Sequence, residues 1–344
     1  MKIEDRNSPP VSVIIPCRNE ERFIGTCLDS IIANDYPKDK LEVVVVDGRS
    51  EDTTRAILEN YAHDFPFIRV VDNPKKITPA ALNIGIESTR HDIIIRMDAH
   101  ACVEKDYISR SVTCLEKYGA DNVGGIMKTL HREEGLLDKA ISICLSHPFG
   151  VGNSYFRIHT HEPRWVDTVF GGCYRRDVFR RIGRFNENLP RGQDMEFNLR
   201  LKKAGGKTLL VPDIVSYYYA RSDWRSFLKH NWGNGMWAIL PFLYSEVMPV
   251  SWRHLIPLAF VVALLGALAV AVVNPLGIGI FLTIAGAYLL ANVLASAQVA
   301  RRERDGRFFW IMPLVFASLH FSYGLGSLWG VIKVLKNWFI KDRR

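Results

Sequence analysis

The stretch VSVIIPCRNEERFIGTCLDSIIANDYPKDKLEVVVVDGRSEDTT (11–54) decides the fold. Two β-rich apolar runs, 11–16 and 42–47, flank a segment, 20–33, whose Phe23, Ile24, Cys27, Leu28, Ile31 and Ile32 fall on one helical face. Runs this short and this continuously apolar predict strands buried between helices. The pattern repeats outward. FIRVV (67–71) and DIIIRMD (92–98) are strands, while 51–62, 78–88 and 105–118 are helices, with Pro79 in a first turn. Four β–α units in about ninety residues predict a doubly wound α/β sheet that binds a nucleotide.

Farther along, the alternation loosens into a strand near 122–128, a helix near 133–145, a mobile stretch 146–166, a strand near 167–174 and a helix 193–204. This half is expected to hold the second substrate. Over the whole 344 residues, 48% are hydrophobic, which excludes a disordered or collagen-like chain. That average hides a split, because residues 1–250 are charged and mixed whereas 255–340 contain long apolar runs. Leu255 to Val273 is a span of nineteen residues without a charged side chain, about 28 Å as helix, which matches a bilayer core. Asn274-Pro275 turns the chain into a second run, 276–297, and a third covers 308–335 with His320, Ser322, Gly324, Gly326 and Gly330. Small residues there suggest close helix packing, either in one crossing or in a span that re-enters at the glycines.

Segment 224–254 is expected to lie at the membrane interface, since Trp224, Phe227, Trp232, Trp237, Phe242 and Tyr244 mix with Arg225, Lys229 and His230. A plain amphipathic surface helix is the competing reading. The loop RRERDGR (301–307) holds four Arg against two acids, so the positive-inside rule puts it, and the N-terminal domain two crossings earlier, on the cytoplasmic side. One crossing by the third run would put the basic tail (Lys333, Lys336, Lys341, Arg343, Arg344) outside, against that rule; re-entry would keep it inside. The net charge of +8 reads as attraction to anionic lipid. No nucleic-acid-binding signature accompanies it. The run Arg175, Arg176, Arg180, Arg181 and Arg184 is either a solvated face or a phosphate contact. Six cysteines without C-x-x-C spacing, and a start (MKIEDRNSPP) without an export signal, predict a reducing, cytoplasmic catalytic part.

In an open α/β sheet the ligand sits beyond the carboxyl ends of the strands. Strand one runs into Pro16-Cys17-Arg18-Asn19-Glu20, strand two into Asp47-Gly48-Arg49-Ser50-Glu51-Asp52 and strand four into Asp98-Ala99-His100. No G-x-G-x-x-G follows strand one, and GGKT (205–208) precedes a strand, so neither a dinucleotide fingerprint nor a P-loop is present. Asp98 and His100, two apart on an extended chain, point to one side and suit Mg2+ or Mn2+ shared with substrate phosphates. An Asp that caps the next turn beside a surface His competes with this reading, but the position at a strand end favours the metal.

These residues resemble glycosyltransferase family 2, whose GT-A fold is a Rossmann-like mixed sheet. VSVIIPCRNEE is similar to the family's first strand and P-x-x-N-E turn, VVVVDGRSEDTT to its V-D-D-G-S-x-D-x-T element and RMDAH to its D-x-D metal motif. FGGCYRRDVFRRIGRFNENLPRGQDMEFNLRLKKAG resembles the acceptor segment that ends in the E-D motif. The match covers about 11–215 and, with the C-terminal spans, looks most like the succinoglycan-type exopolysaccharide glucosyltransferases.

The resemblance implies that Pro16, Arg18 and Glu20 line the nucleotide pocket, that Asp47 accepts from uracil and that Lys76 lies near base or phosphates. It makes Asp98 and His100 the metal ligands and Asp194 the general base, in a helical first turn where the dipole favours negative charge. Gly171, Gly172, Gln193, Arg175 and Arg176 fall to the donor sugar or acceptor, Arg184 joining the two arginines at a lipid diphosphate. Gly48, His100 and Gln193 depart from the family pattern, each keeping room or polarity, and Lys229-His230-Asn231-Trp232 stands near the place of the absent Q-x-x-R-W motif of processive synthases. A single base implies inversion, and one-sugar transfer is expected. The chain reads as a cytoplasmic catalytic domain (1–223), an interfacial segment (224–254) and a multi-pass region (255–344) in the inner membrane. Its expected partners are a UDP-sugar and a polyprenyl-diphosphate-linked saccharide. A polyprenyl-monophosphate or glycolipid transferase is the alternative, and so is a non-catalytic sugar-nucleotide-binding scaffold.

Overall fold

Alternation along the first strands sorts their side chains onto two faces. Val11, Val13 and Ile15 of β1 (Val11–Cys17) and Val43 and Val45 of β2 (Leu41–Asp47) enter one buried cluster, with Ile24, Cys27, Leu28 and Ile31 from the helix Ile24–Ile32. Ile14, Val44 and Val46 enter the other, against Ala81, Leu82 and Ile86 of the helix Thr78–Ser88. Burial on both faces is why these strands read as unbroken apolar runs. The helix Thr78–Ser88 lies so close to the sheet that a Cβ on Gly85 would come 2.3 Å from Cγ2 of Ile14.

The computed structural model describes residues 8–130, 135–158, 160–219, 223–245 and 252–341, without the side chains of 339–341. Expectations about the first seven residues and about Lys341, Arg343 and Arg344 lie outside it. Beyond β1 and β2 come β3 (Ile68–Asp72), β4 (Ile93–Arg96), β5 (Ala101–Val103), β6 (Asn122–Leu130), β7 (Arg164–Val166), β8 (Phe170–Arg175) and β9 (Thr208–Tyr219). The described strands form one mixed sheet in the order β3-β2-β1-β4-β8-β6-β9-β5, with β7 on β9. β3, β2, β1 and β4 are parallel, in a register that aligns Cys17 with Asp47 and Asp47 with Asp72. Their carboxyl ends therefore share one edge. β8 runs antiparallel to β4, pairing Arg175 with Ile93, so its own carboxyl end lies at the opposite edge.

The stretch 146–166, expected to be mobile, contains two single helical turns, Pro148–Val151 and Tyr155–Ile158, and then β7. Its backbone is tied down locally: Nδ1 of His147 accepts from the Phe149 amide at 3.1 Å, and Arg164 pairs with Leu210 of β9. The division of the chain also differs from the expected continuous domain 1–223. One compact unit holds residues up to 128 with 160–219, and the second holds 129–158 with the C-terminal helices. The physical reason is the helix Leu136–Cys144, whose Ala140, Ile141 and Cys144 are buried among Phe227, Val299, Met312 and Phe316 of the second unit.

Among the described residues, that unit contains three helices long and apolar enough to cross a membrane: Trp252–Val273, Leu276–Glu303 and Arg307–Trp338. Large apolar residues such as Val272 and Val273 are left bare, at 85% and 84% exposure, as helices solvated by lipid require. The third helix runs on to Lys341 without a break at Gly324, Gly326 or Gly330, so re-entry at the glycines does not occur. The glycines serve packing. A Cβ on Gly326 would lie 2.2 Å from the Trp232 carbonyl oxygen, and one on Gly235 2.0 Å from that of Tyr323, so the helix Trp224–Ile239 presses backbone to backbone on the third apolar helix. Ser327 Oγ donates to the Gly235 carbonyl across this contact at 3.0 Å. Adding one methyl at Gly326 (Gly326→Ala) is expected to destabilise the protein by about 1–3 kcal/mol, whereas Gly266→Ala, where nothing lies within 4 Å, leaves the thermal midpoint of the purified chain unchanged.

Candidate active site

Where the parallel strands end, two loops are sewn to each other. The Asn19 amide donates to Ser50 Oγ (2.9 Å) and Glu51's amide to Asn19 Oδ1 (2.9 Å), while Glu20's amide reaches Thr54 Oγ1 (2.8 Å) and Thr53 Oγ1 donates to Glu21 (2.8 Å). Three non-glycine residues, Asn19, Arg49 and Lys76, hold positive φ between 53° and 58° at these strand ends. Left-handed backbone costs a side-chain-bearing residue about 1 kcal/mol or more and collects at functional sites.

The loops surround a cleft of about 260 Å3 lined by Pro16, Arg18, Glu20, Gly48, Lys76, Asp98, His100 and Gln193, among others. Seven site residues expected from sequence thus meet in one place. Asp47, expected to accept from uracil, is not among the lining residues: it is 2% exposed, its carboxylate accepting from the Ser50 amide and hydroxyl and lying 3.6 Å from Arg55. Gly48, where the family pattern has an acid, gives its space to Arg18: a Cβ there would meet the Arg18 side chain at 3.1 Å. Gln193 and Asp194 open the helix Gln193–Lys203 behind Gly192, whose φ of +74° turns the chain into it.

Sequence reading missed Arg96. It ends β4, is 7% exposed, and places Nη2 2.9 Å from Asp98 Oδ1 and Nη1 3.7 Å from Asp194 Oδ2. Burial alone would lower its pKa, but the carboxylates of Asp98 and Asp194 outweigh that and raise it. A charged residue closing the run Ile93-Ile94-Ile95 was the available signal, since a buried cation needs a counter-ion. Asn73 and Thr78 also line the cleft unforeseen; Asn73 shapes its wall by donating to the Ile77 carbonyl at 2.9 Å.

Asp98 and His100 offer a carboxylate and an imidazole at the cleft, a donor set that fits a divalent cation. His100 Nδ1 lies 2.9 Å from Glu20 Oε1, which orients the ring as an outer partner orients a ligand. Among the described residues no three His, Cys, Asp or Glu side chains are gathered to hold a metal. Substrate oxygens would have to complete the shell.

Arg175 and Arg176 are not brought to the cleft, because β8 carries them to the other edge of the sheet. Arg175 donates to the carbonyls of Leu115 and Ala120, and Arg176 to those of Ile86 and His91. Arg184 pairs with Glu87, and Arg181 with Asp121 and Asp177. Four of the five arginines of the basic run are thus engaged in contacts within the protein, and Arg180 is exposed. Gly171 and Gly172 hold φ of +68° and +119°, and the neighbours a Cβ would meet are the Arg96 carbonyl (2.9 Å) and Asn122 Oδ1 (2.6 Å). Gly171 lets β8 lie against the end of β4, and Gly172 lets it lie against β6, where Asn122 begins that strand.

A mixed sheet with this cleft at the edge where its parallel strands end is the GT-A fold. Residues 12–183, half of the chain, match the family described as Glycosyl transferase family 2. The chain belongs to that family and is a glycosyltransferase. It is 28% identical to the dolichyl N-acetyl-alpha-D-glucosaminyl phosphate 3-beta-D-2,3-diacetamido-2,3-dideoxy-beta-D-glucuronosyltransferase of Methanococcus voltae, over 94% of this chain and 97% of the relative. It is 29% identical to the succinoglycan biosynthesis protein ExoA of Rhizobium meliloti, over 80% and 82%. The fold is also that of a mannosyltransferase from Pyrobaculum calidifontis solved with GDP-Man and Mn2+, at a TM-score of 0.58 and 19% identity over 94% of this chain and 88% of that one.

Arg96→Met leaves the Asp98 and Asp194 carboxylates without their shared cation. It is expected to cost about 3 kcal/mol in thermal or denaturant unfolding and to abolish sugar transfer, with Arg96→Lys, which keeps the charge but not the fork, falling between.

Proposed function

We propose that this glycosyltransferase moves one sugar, with inversion, from a UDP-sugar to a polyprenyl-diphosphate-linked saccharide at the cytoplasmic face of the inner membrane, in exopolysaccharide or cell-surface glycan synthesis. The observation that carries the reading is Arg96, which holds Asp98 and Asp194 on one buried guanidinium in the wall of the cleft. Pro16, Arg18, Glu20 and Lys76 line that cleft and would hold the nucleotide. Lys76 lies 3.1 Å from Glu51, an exposed pair that an incoming diphosphate can break at little cost.

Asp194 is the base. Its Oδ1 accepts from the Met195 amide at 2.9 Å and Arg96 steadies Oδ2, fixing the carboxylate as an acceptor for the attacking hydroxyl's proton. Proton transfer accompanies attack at the anomeric carbon, and the nucleoside diphosphate departs from the opposite side. Asp98 and His100 would hold Mg2+ or Mn2+, which when bound offsets the charge of the departing diphosphate. Arg18 adds cationic charge on the same wall. With Asp194 as base and no second carboxylate needed as nucleophile, direct displacement with inversion is the expected outcome.

The lipid-linked acceptor is supported by the Methanococcus voltae relative, named for a dolichyl-linked N-acetylglucosaminyl phosphate, and by the three apolar helices. The four arginines of 301–307 support a cytoplasmic site through the positive-inside rule. The exopolysaccharide role is supported by the succinoglycan relative.

In detergent, UDP release from a panel of UDP-sugars is expected only with both a divalent metal and a polyprenyl-linked acceptor, tested as diphosphate and monophosphate forms. Asp194→Asn is expected to lower turnover by about 10²–10⁴ while donor binding persists. Donor binding with no Asp194-dependent turnover would replace this reading with the sugar-nucleotide scaffold. Chelation by EDTA is expected to abolish release and Mn2+ to restore it, with His100→Ala raising the Mn2+ concentration needed for half-maximal rate.

A further inference from the structure

Within the second unit, the helix Trp224–Ile239 and the third apolar helix leave a groove of about 590 Å3 between them. Leu228, Trp232, Leu314, Phe321 and Leu325 line it, and Lys229 is the one charged residue in its walls. Lys229 is exposed and pairs with no carboxylate among the described residues. The groove therefore offers hydrocarbon contact and an unmatched positive charge together.

Its depth follows from packing inside the same unit. A Cβ on Gly324 would lie 2.4 Å from the Pro257 carbonyl oxygen, and the rings of Phe260 and Phe321 are 5.4 Å apart. Residues 321–324 are thus level with the start of the first apolar helix. Trp252, Arg253 and His254 form the turn that opens that helix ahead of Ile256, and residues of these kinds mark the boundary between bilayer and water. Trp232 packs against Gly326, and Lys229 lies about 4.5 Å before it along the helix. Lys229 consequently stands at the level where lipid phosphates lie, beside an apolar trough.

We propose that this groove seats the isoprenoid chain of the lipid acceptor, with the Lys229 ammonium on the lipid's phosphate. The choice of an isoprenoid rests on the function proposed above; the groove, its depth and its charge do not. A phosphorylated single-chain lipid matches the site on both counts, since the chain covers the apolar wall and the phosphate supplies the counter-charge that no described residue gives Lys229.

The test uses the full chain in nanodiscs of phosphatidylethanolamine and phosphatidylglycerol, with a polyprenyl monophosphate carrying a diazirine in its second isoprene unit. After illumination, adducts are expected within 228–232 and 314–325, displaced by unlabelled polyprenyl phosphate but not by the same excess of added phosphatidylglycerol. Lys229→Glu and Ala317→Trp, which fills the groove, are each expected to lower labelling at least fivefold, and Lys229→Arg to preserve it. Lys229 is a surface side chain, so its variants remain informative even if Ala317→Trp misfolds. Labelling elsewhere, equal displacement by phosphatidylglycerol, or indifference to Lys229→Glu overturns the proposal. Sugar transfer that persists without groove labelling overturns the groove alone. Groove labelling with no transfer to any lipid acceptor leaves the groove standing and overturns the proposed function.

Discussion

A guanidinium cannot be buried without counter-charge, and in this protein that constraint organises the catalytic unit. Arg96 reaches its two carboxylates only when β4 is docked on β1, when the chain turns at Asp98 and when the helix Gln193–Lys203 brings Asp194 to the same point. Two residues ninety-six apart in sequence, which we assign to metal and base, are thereby set against one cation. Bidentate geometry makes Arg the residue for the task, since a lysine ammonium lacks the fork.

The cleft around this pair is built by loops that consume most of their own polarity. Asn19, Glu21, Ser50, Thr53 and Thr54 bond loop to loop, which leaves Arg18, Glu20 and Lys76 to face the space between. The left-handed residues Asn19, Arg49 and Lys76 mark the corners of that arrangement. Substitutions relative to the family pattern have local physical partners. Gly48 makes room for Arg18, and His100 is held by Glu20.

The second unit follows a different rule, because lipid offers no hydrophobic gain for burying leucine against leucine. Its helices instead meet through small residues. Gly235, Gly326 and Gly330 let the backbones of two helices touch, and Asn292 donates to the Pro313 carbonyl at 3.0 Å where a third helix joins them. Tight packing on that face leaves the opposite apolar faces to lipid.

The apolar runs of β1 to β4, the helical stripe of 24–32, the polar strand ends and the three long apolar segments were legible in the amino-acid order, because strand burial and bilayer thickness impose short periods and fixed lengths. The polar strand ends and the resemblance to the family together marked Pro16, Arg18, Glu20, Lys76, Asp98, His100 and Gln193, which line one cleft. What only the tertiary structure decided was direction and partnership. Strand polarity turned Arg175 and Arg176 away from the cleft, and burial converted Arg96 from one more strand residue into the bridge between Asp98 and Asp194. The helix Leu136–Cys144 joined the C-terminal helices, not the sheet it follows in sequence. Periodicity reports which face of an element is apolar, but the partner that covers that face is chosen by contacts between residues far apart in the chain.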